Sequence, residues 1–167
     1  MKKVLLNLML LWIASATYGQ SDPIDQISAN VEAIDSNSEL TIDEFDATKV
    51  YGHAFDGGGE IEIYQLDGQI QKIHEQIGLS FGRITTIIYL ENSKPILIID
   101  REENFKRKDD GSFDYSTLNK VFEAQIYISN EKPIKTDQEG DRVMTDKSTD
   151  LNKYHQKIEI AEGLLKK

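Results

Sequence analysis

Chemistry in this chain would have to come from three histidines, its carboxylates and its hydroxyls. Cysteine is absent, and with it thiolate nucleophiles, thiolate metal sites, disulfides and lipid attachment at a cysteine. The most suggestive grouping is His53, Asp56, His74 and Glu75, which could meet across neighbouring strands as a metal or acid/base site. No His-x-Glu or His-x-x-x-His spacing accompanies it, so exposed strand histidines are the simpler reading. His155 lies off the apolar stripe of its segment and reads as a solvated helix residue. Asp109-Asp110-Gly111-Ser112-Phe113-Asp114 gathers oxygen ligands around a glycine, as calcium loops do, but lacks the alternating carboxylates and closing glutamate of an EF-hand loop. Weak divalent binding by Asp109, Asp110 and Asp114 is therefore the lesser reading beside a solvated turn.

Three further patterns carry less. Gly57-Gly58-Gly59 is followed by Glu60 and an alternating strand pattern, whereas a phosphate cradle needs a Lys-Ser/Thr pair and a helix N-terminus, so it reads as a turn. Ser80 lies in Gly78-Leu79-Ser80-Phe81-Gly82, which has the Gly-x-Ser-x-Gly spacing, but strand patterns flank it on both sides and no helix follows as a nucleophile elbow requires, so it reads as a loop residue. Tyr51, Tyr64, Tyr89 and Tyr127 could form a stacking row for a ligand, but aromatic residues at strand positions more often pack across a sheet. No catalytic residue, cofactor site or metal site is assigned.

The elements that must position these residues follow from periodicity. Asp22-Pro23 supplies a cap and a first-turn proline, and Ile24, Ile27, Val31 and Ile34 recur at helical spacing, which predicts a helix over 23–35. The stretch from Asp43 to Phe55 looks like a strand. Ile61 and Ile63 then alternate with Glu60 and Glu62, Asp67-Gly68 marks a hairpin turn, and 69–77 is the return strand. Ile88-Tyr89-Leu90-Glu91-Asn92-Ser93-Lys94-Pro95-Ile96 recurs, at six of nine positions, as Ile126-Tyr127-Ile128-Ser129-Asn130-Glu131-Lys132-Pro133-Ile134. Each copy reads as strand, polar turn, strand. Residues 101–119 read as a long surface loop or extended hairpin tip, and 137–147 as a second polar connector. Leu151, Tyr154, Ile158, Ala161 and Leu165 predict a closing helix capped within Ser148-Thr149-Asp150. The fold class is α+β: an antiparallel β-meander of six or seven strands flanked by an N-terminal and a C-terminal helix.

This strand grammar resembles that of small, uncharacterised exported β-meander proteins of Gram-negative bacteria. Gly58-Gly59-Glu60, the hairpin Tyr89 to Ile96 and the hairpin Tyr127 to Ile134 carry the likeness over about residues 50–140. The resemblance implies export and a β-meander, and it brings no catalytic residue with it. Such proteins commonly place Asn-Gly at the turn, where this chain has Asn92-Ser93 and Asn130-Glu131.

Length, composition and charge agree with that picture. The 167 residues, 39% hydrophobic and 29% charged, suit one globular domain over residues 20–167. Lys2 and Lys3, the apolar run from Val4 to Ile13 and the small residues before Gln20 form a signal peptide over 1–19, too short in its apolar run to span a bilayer. The expected location is therefore periplasmic or extracellular. Losing Lys2 and Lys3 leaves 17 cations against 29 acids, a net charge of −12. That charge argues against nucleic acid and anionic membranes and leaves cationic proteins, metal ions and neutral ligands.

Ile87-Ile88-Tyr89-Leu90 and Ile96-Leu97-Ile98-Ile99 are apolar at consecutive positions, so their strands need cover on two sides. If the two helices lie side by side on one face, the other must meet a folded-over sheet, a second subunit or a ligand. Ile87, Tyr89 and Ile98 are then the candidate binding surface, with a homodimer one outcome; if both faces are covered within the monomer, no partner is implied there. The functional expectation is an exported, non-catalytic module that binds a protein or small ligand. Alternatives are an acidic periplasmic inhibitor or immunity-type protein and a small hydrolase with an unrecognised site.

Overall fold

Asp22 starts the first helix by accepting the Ile24 amide at 2.9 Å, and Pro23 occupies the position where a missing N–H costs nothing. The helix, α1 (Pro23–Ser36), opens a computed structural model that describes residues 22–145 and 150–166. The proposed signal segment 1–19 lies outside the described residues. After α1 come β1 (Thr41–Asp46), α2 (Ala47–Tyr51), β2 (Gly59–Leu66), β3 (Gln69–Leu79), β4 (Gly82–Glu91), β5 (Lys94–Arg107), β6 (Phe113–Ser129), β7 (Lys132–Gly140) and α3 (Leu151–Leu164). All seven strands pair antiparallel with their sequence neighbours in one sheet of order β1 to β7. The architecture is the expected α+β meander between two terminal helices. Of the cap candidates for α3, Asp150 accepts the Asn152 amide at 2.9 Å, and Ser148 and Thr149 lie outside the described residues.

Three tight turns fix the register. Asp67 and Gly68 have φ of 50° and 76°, Asn92 and Ser93 of 51° and 62°, and Asn130 and Glu131 of 50° and 61°. Positive φ at both central residues is the hairpin geometry that matches strand twist, and it is adopted here even where the second residue is not glycine. Each of these hairpins also carries a register shift close to its turn, at Tyr64/Gln65, Tyr89/Leu90 and Tyr127/Ile128. The repeated sequence unit is therefore a repeated bulged hairpin.

The sheet is covered on both faces, and by different helices. Ile61, Ile63, Ile73, Ile88, Leu90, Ile98 and Ile126 turn to one side and pack with Tyr154, Ile158 and Ala161 of α3 and Ala47 of α2. Tyr89, Leu97 and Ile96, with Ile87, Ile99 and Tyr127, turn to the other and pack with Ile27, Val31 and Ile34 of α1. The two helices thus do not lie side by side, because the strands that are apolar at consecutive positions draw one amphipathic helix to each face.

Three sequence boundaries also move. The stretch 43–55 is not one strand: Asp46 accepts the Thr48 amide at 2.8 Å, caps α2 and turns the chain, and Gly52 with φ 74° ends it. Residues 101–119 are mostly strand, since β5 runs on to Arg107 and β6 begins at Phe113, leaving a short tip. β7 reaches Gly140, so the polar connector begins only at Asp141.

Candidate functional site

Four carboxylates meet at the end of the sheet remote from α1. Glu44 and Asp46 come from β1 and Glu60 from β2, and the register sets Glu44 opposite Glu62 and Asp46 opposite Glu60. Asp56 arrives on the loop after α2. Together with Gln76, Arg83, Phe45, Phe105 and Tyr115 they line an open cleft of about 1080 Å³. The floor is glycine because two backbones cross there. The Gly57 amide donates to the Gly78 carbonyl at 3.0 Å and the Gly78 amide to the Gly58 carbonyl at 2.8 Å. A Cβ on Gly78 would sit 2.4 Å from the Gly57 oxygen, so no other residue fits. The glycine run is thus a crossing point, in keeping with its reading as a turn.

The cleft has a charged side and an aromatic side. Among the described residues Glu44, Asp46, Asp56 and Glu60 have no cationic partner; Asp46 is engaged only as the cap of α2. Arg83 is the one cation in the lining, and it is already held: its Nε and Nη2 donate to Glu103 Oε2 at 3.0 and 2.6 Å, and its Nη1 to Gln76 Oε1 at 3.1 Å. On the opposite wall Phe105 and Tyr115 meet at 5.0 Å between ring centres, and Phe113 lies 6.1 Å from Tyr115. Tyr115 is 68% exposed and Phe81, on the neighbouring turn, 41%.

From Arg83 a line of polar side chains crosses the uncovered part of the α1-side face. Gln76 Nε2 lies 3.3 Å from His74 Nε2, and His74 Nδ1 lies 2.6 Å from Glu62 Oε2, which also accepts from the Tyr64 hydroxyl at 3.0 Å. Burial and the Glu62 charge push the Tyr64 hydroxyl up to about 12. Each member is tied to its neighbour, so the line orders the face.

The groupings of the sequence fall apart here. His74 and Glu75 are consecutive on β3 and point to opposite faces. Glu75 is buried under α3, where it accepts from the Tyr51 hydroxyl and Lys157, while His53 is exposed beside Phe55. No cluster of three or more potential ligands for a metal ion occurs among the described residues. In the hairpin tip, Asp110 Oδ1 accepts from the Ser112 amide and hydroxyl, and Asp114 Oδ1 from those of Ser116. These are two separate local turns rather than one shared oxygen cage.

The candidate surface Ile87, Tyr89 and Ile98 is corrected. Tyr89 is 4% exposed beneath α1, where its hydroxyl donates to Asp35 at 2.9 Å, and Ile98 is 1% exposed on the opposite face. Ile87 is half-buried beside α1. The three residues do not share a face, and both faces of that strand pair are covered within the monomer.

Sequence reasoning missed a buried polar strap. Glu102, 0% exposed, accepts the amides of Val143, Met144 and Thr145 at 2.7, 2.8 and 3.1 Å and the Thr145 hydroxyl. Asp100 accepts from Tyr154 at 2.6 Å, Arg142 at 2.8 Å and Lys153 at 2.9 Å. Burial opposes the Asp100 charge, but these donors outweigh it and hold its carboxyl below the ordinary value. The signal was present: Asp100 and Glu102 alternate with Arg101 and Glu103 in strand fashion, which places one pair on each face.

No helix among the described residues is long and apolar enough to cross a membrane. The chain matches no family model, and no curated protein or solved structure is significantly similar to it.

Proposed function

We propose that the protein is an exported, non-catalytic binding module whose acidic cleft receives a cationic segment of a protein partner. The observation that carries this reading is the contrast inside the cleft: Glu44, Asp46, Asp56 and Glu60 lack cationic partners among the described residues, while Arg83 is neutralised by Glu103. Like charges gathered at one rim raise each other's energy, and a partner that supplies Lys or Arg relieves that repulsion and is steered towards it. The aromatic wall of Phe105 and Tyr115 suits the aliphatic stems and planar heads of the same side chains. A narrower version makes the cationic segment part of a toxin or hydrolase that the protein occludes in the periplasm.

Titration calorimetry with a lysine- and arginine-rich decapeptide tests the reading. The wild type should bind, and affinity should drop when salt rises to about 0.5 M, where the Debye length is only a few ångströms. Glu44→Gln, Asp56→Asn and Glu60→Gln combined should weaken binding by about tenfold or more. Unchanged affinity in that triple variant would remove the cleft as the binding site. Export is tested separately by mass spectrometry of the protein from its host, where a chain beginning at Thr17 or Gln20 is expected and an intact Met1 in the cytosolic fraction would refute it.

A further inference from the structure

We propose that β7 is a self-association edge, through which two copies join their sheets about a two-fold axis centred on Thr136. All nine residues of β7 are exposed, and β7 pairs only with β6, so its outer edge is unpaired among the described residues. An unpaired strand edge offers main-chain donors and acceptors to another strand, and proteins ordinarily blunt it with charge or proline. β7 carries both devices in Lys132, Pro133 and Lys135, yet its charges are arranged so that one pairing attracts. Lys135 and Asp137 lie on the same face two residues apart, joined at 2.6 Å and with side chains 44% and 50% exposed.

Two copies related by a two-fold axis through the sheet must pair antiparallel, with opposing residues on the same face. Such registers are therefore centred on a residue. Centring on Lys135 opposes two lysines, on Asp137 two aspartates, and on Gln138 sets Asp137 against Glu139. Centring on Thr136 sets Lys135 against Asp137 of the second copy, twice, and opposes no like charges within β7. The two intrachain pairs then close into a ring of four alternating charges. The bulge that leaves Ile134 unpaired with β6 ends the regular part of this register, so Pro133 lies beyond the facing charge pairs, where a lost main-chain bond matters least.

The other edge has no such option. β1 reads Thr41-Ile42-Asp43-Glu44-Phe45-Asp46, with three carboxylates and no cation, so no register of β1 on its copy forms an ion pair. Association is directed to β7 and away from the acidic cleft. A single edge contact is small, so the dimer should be weak and populated at about 0.2–0.5 mM rather than at micromolar concentration.

Sedimentation equilibrium of the chain as recovered from its host should show, over that range, dimer that diminishes as salt rises. Lys135→Asp and Asp137→Lys should each weaken self-association by more than about tenfold, because each places like charges opposite one another. Mixed in equal amounts, the two variants should recover a one-to-one heterodimer. One copy then presents carboxylates at positions 135 and 137 and the other presents ammonium groups, so both facing pairs attract. Glu44→Lys should leave the dimer intact. A wild type that stays monomeric at about 0.5 mM, a single variant that still dimerises, or a mixture that forms no heterodimer would each overturn the proposal. The substituted positions are all exposed, and unchanged circular dichroism separates a lost contact from a lost fold.

Discussion

Under α3, three carboxylates are withdrawn from water: Glu75, Asp100 and Glu102 are 4, 2 and 0% exposed. On the other face Glu62, Glu103 and Glu123 keep 24, 13 and 14% of their side chains exposed. The first set is held by α3 and the connector before it, at sequence separations of 41 to 82 for Asp100, Glu102 and the Lys157–Glu75 pair. The second set is held by residues directly across neighbouring strands, Glu62 by His74, Glu103 by Arg83 and Glu123 by Arg101. The first set therefore fastens the 141–145 connector and α3 onto the sheet, whereas the second set only reinforces pairings that main-chain bonds already make; α1 is tied to its own face by Asp35, which meets Lys72 and the Tyr89 hydroxyl. A cut buried carboxylate leaves its donors stranded without water, which a cut surface pair does not.

That contrast is broken most severely at Glu102. Glu102→Ala should strand three amides and unseat the 141–145 connector, lowering stability by about 3–5 kcal/mol, read as a large fall in Tm. Ile88→Ala, fully buried on the same face, should cost about 2–5 kcal/mol by its transfer and cavity contributions, with the fold retained on circular dichroism.

Acid should sharpen the same contrast. The Asp100 carboxyl is lowered from its ordinary value of 3.8 in the folded state. The unfolded chain therefore takes up the proton first as pH falls. Its stabilising contribution is complete above the unfolded value and is lost as pH falls through the folded one. Denaturant midpoints should drop below about pH 4, and Asp100→Asn should be less stable at neutral pH and show a shallower acid decline.

The turns give a smaller effect of opposite sign. Ser93→Gly and Glu131→Gly relieve a side chain at φ near 60° and should each raise stability by up to about 1 kcal/mol, visible as a shift in denaturant midpoint. Smallest of all, Arg83→Met on the α1-side face should cost less than about 1 kcal/mol, because its pair with Glu103 stays partly in water. A loss there as large as that of Glu102→Ala would erase the distinction between the faces.

Much of this was legible in the residues. Asp22-Pro23 and the isoleucine spacing located α1 to within a residue, and the hairpin turns announced themselves by Asp-Gly and by the repeated Asn-x-Lys-Pro-Ile. The double-sided apolar runs of β4 and β5 showed that both faces need cover, but periodicity within one helix cannot say which face it will choose. α2 is a single turn set by one capping aspartate, too short for any periodicity to register. The cleft was illegible for another reason: its carboxylates lie on β1, β2 and a loop, and only the strand register brings them to one rim. Buried Glu75 and Glu102 resemble surface charges until their donors, dozens of residues away, are in place.

The order of the sheet has a kinetic meaning. Because every strand pairs with the one before it in the chain, hairpin closure needs only short loops, and the loop-closure entropy of each step is small. The meander can form progressively from its turns without waiting for distant segments. The docking of the two terminal helices joins residues far apart in sequence, α1 through Asp35 to Tyr89 and α3 through Asp100 to Tyr154 and Glu75 to Lys157. A sheet assembled from its hairpins thus carries two raw apolar faces until α1 and α3 close over them, the second by bringing Lys153, Tyr154 and Lys157 to their carboxylates.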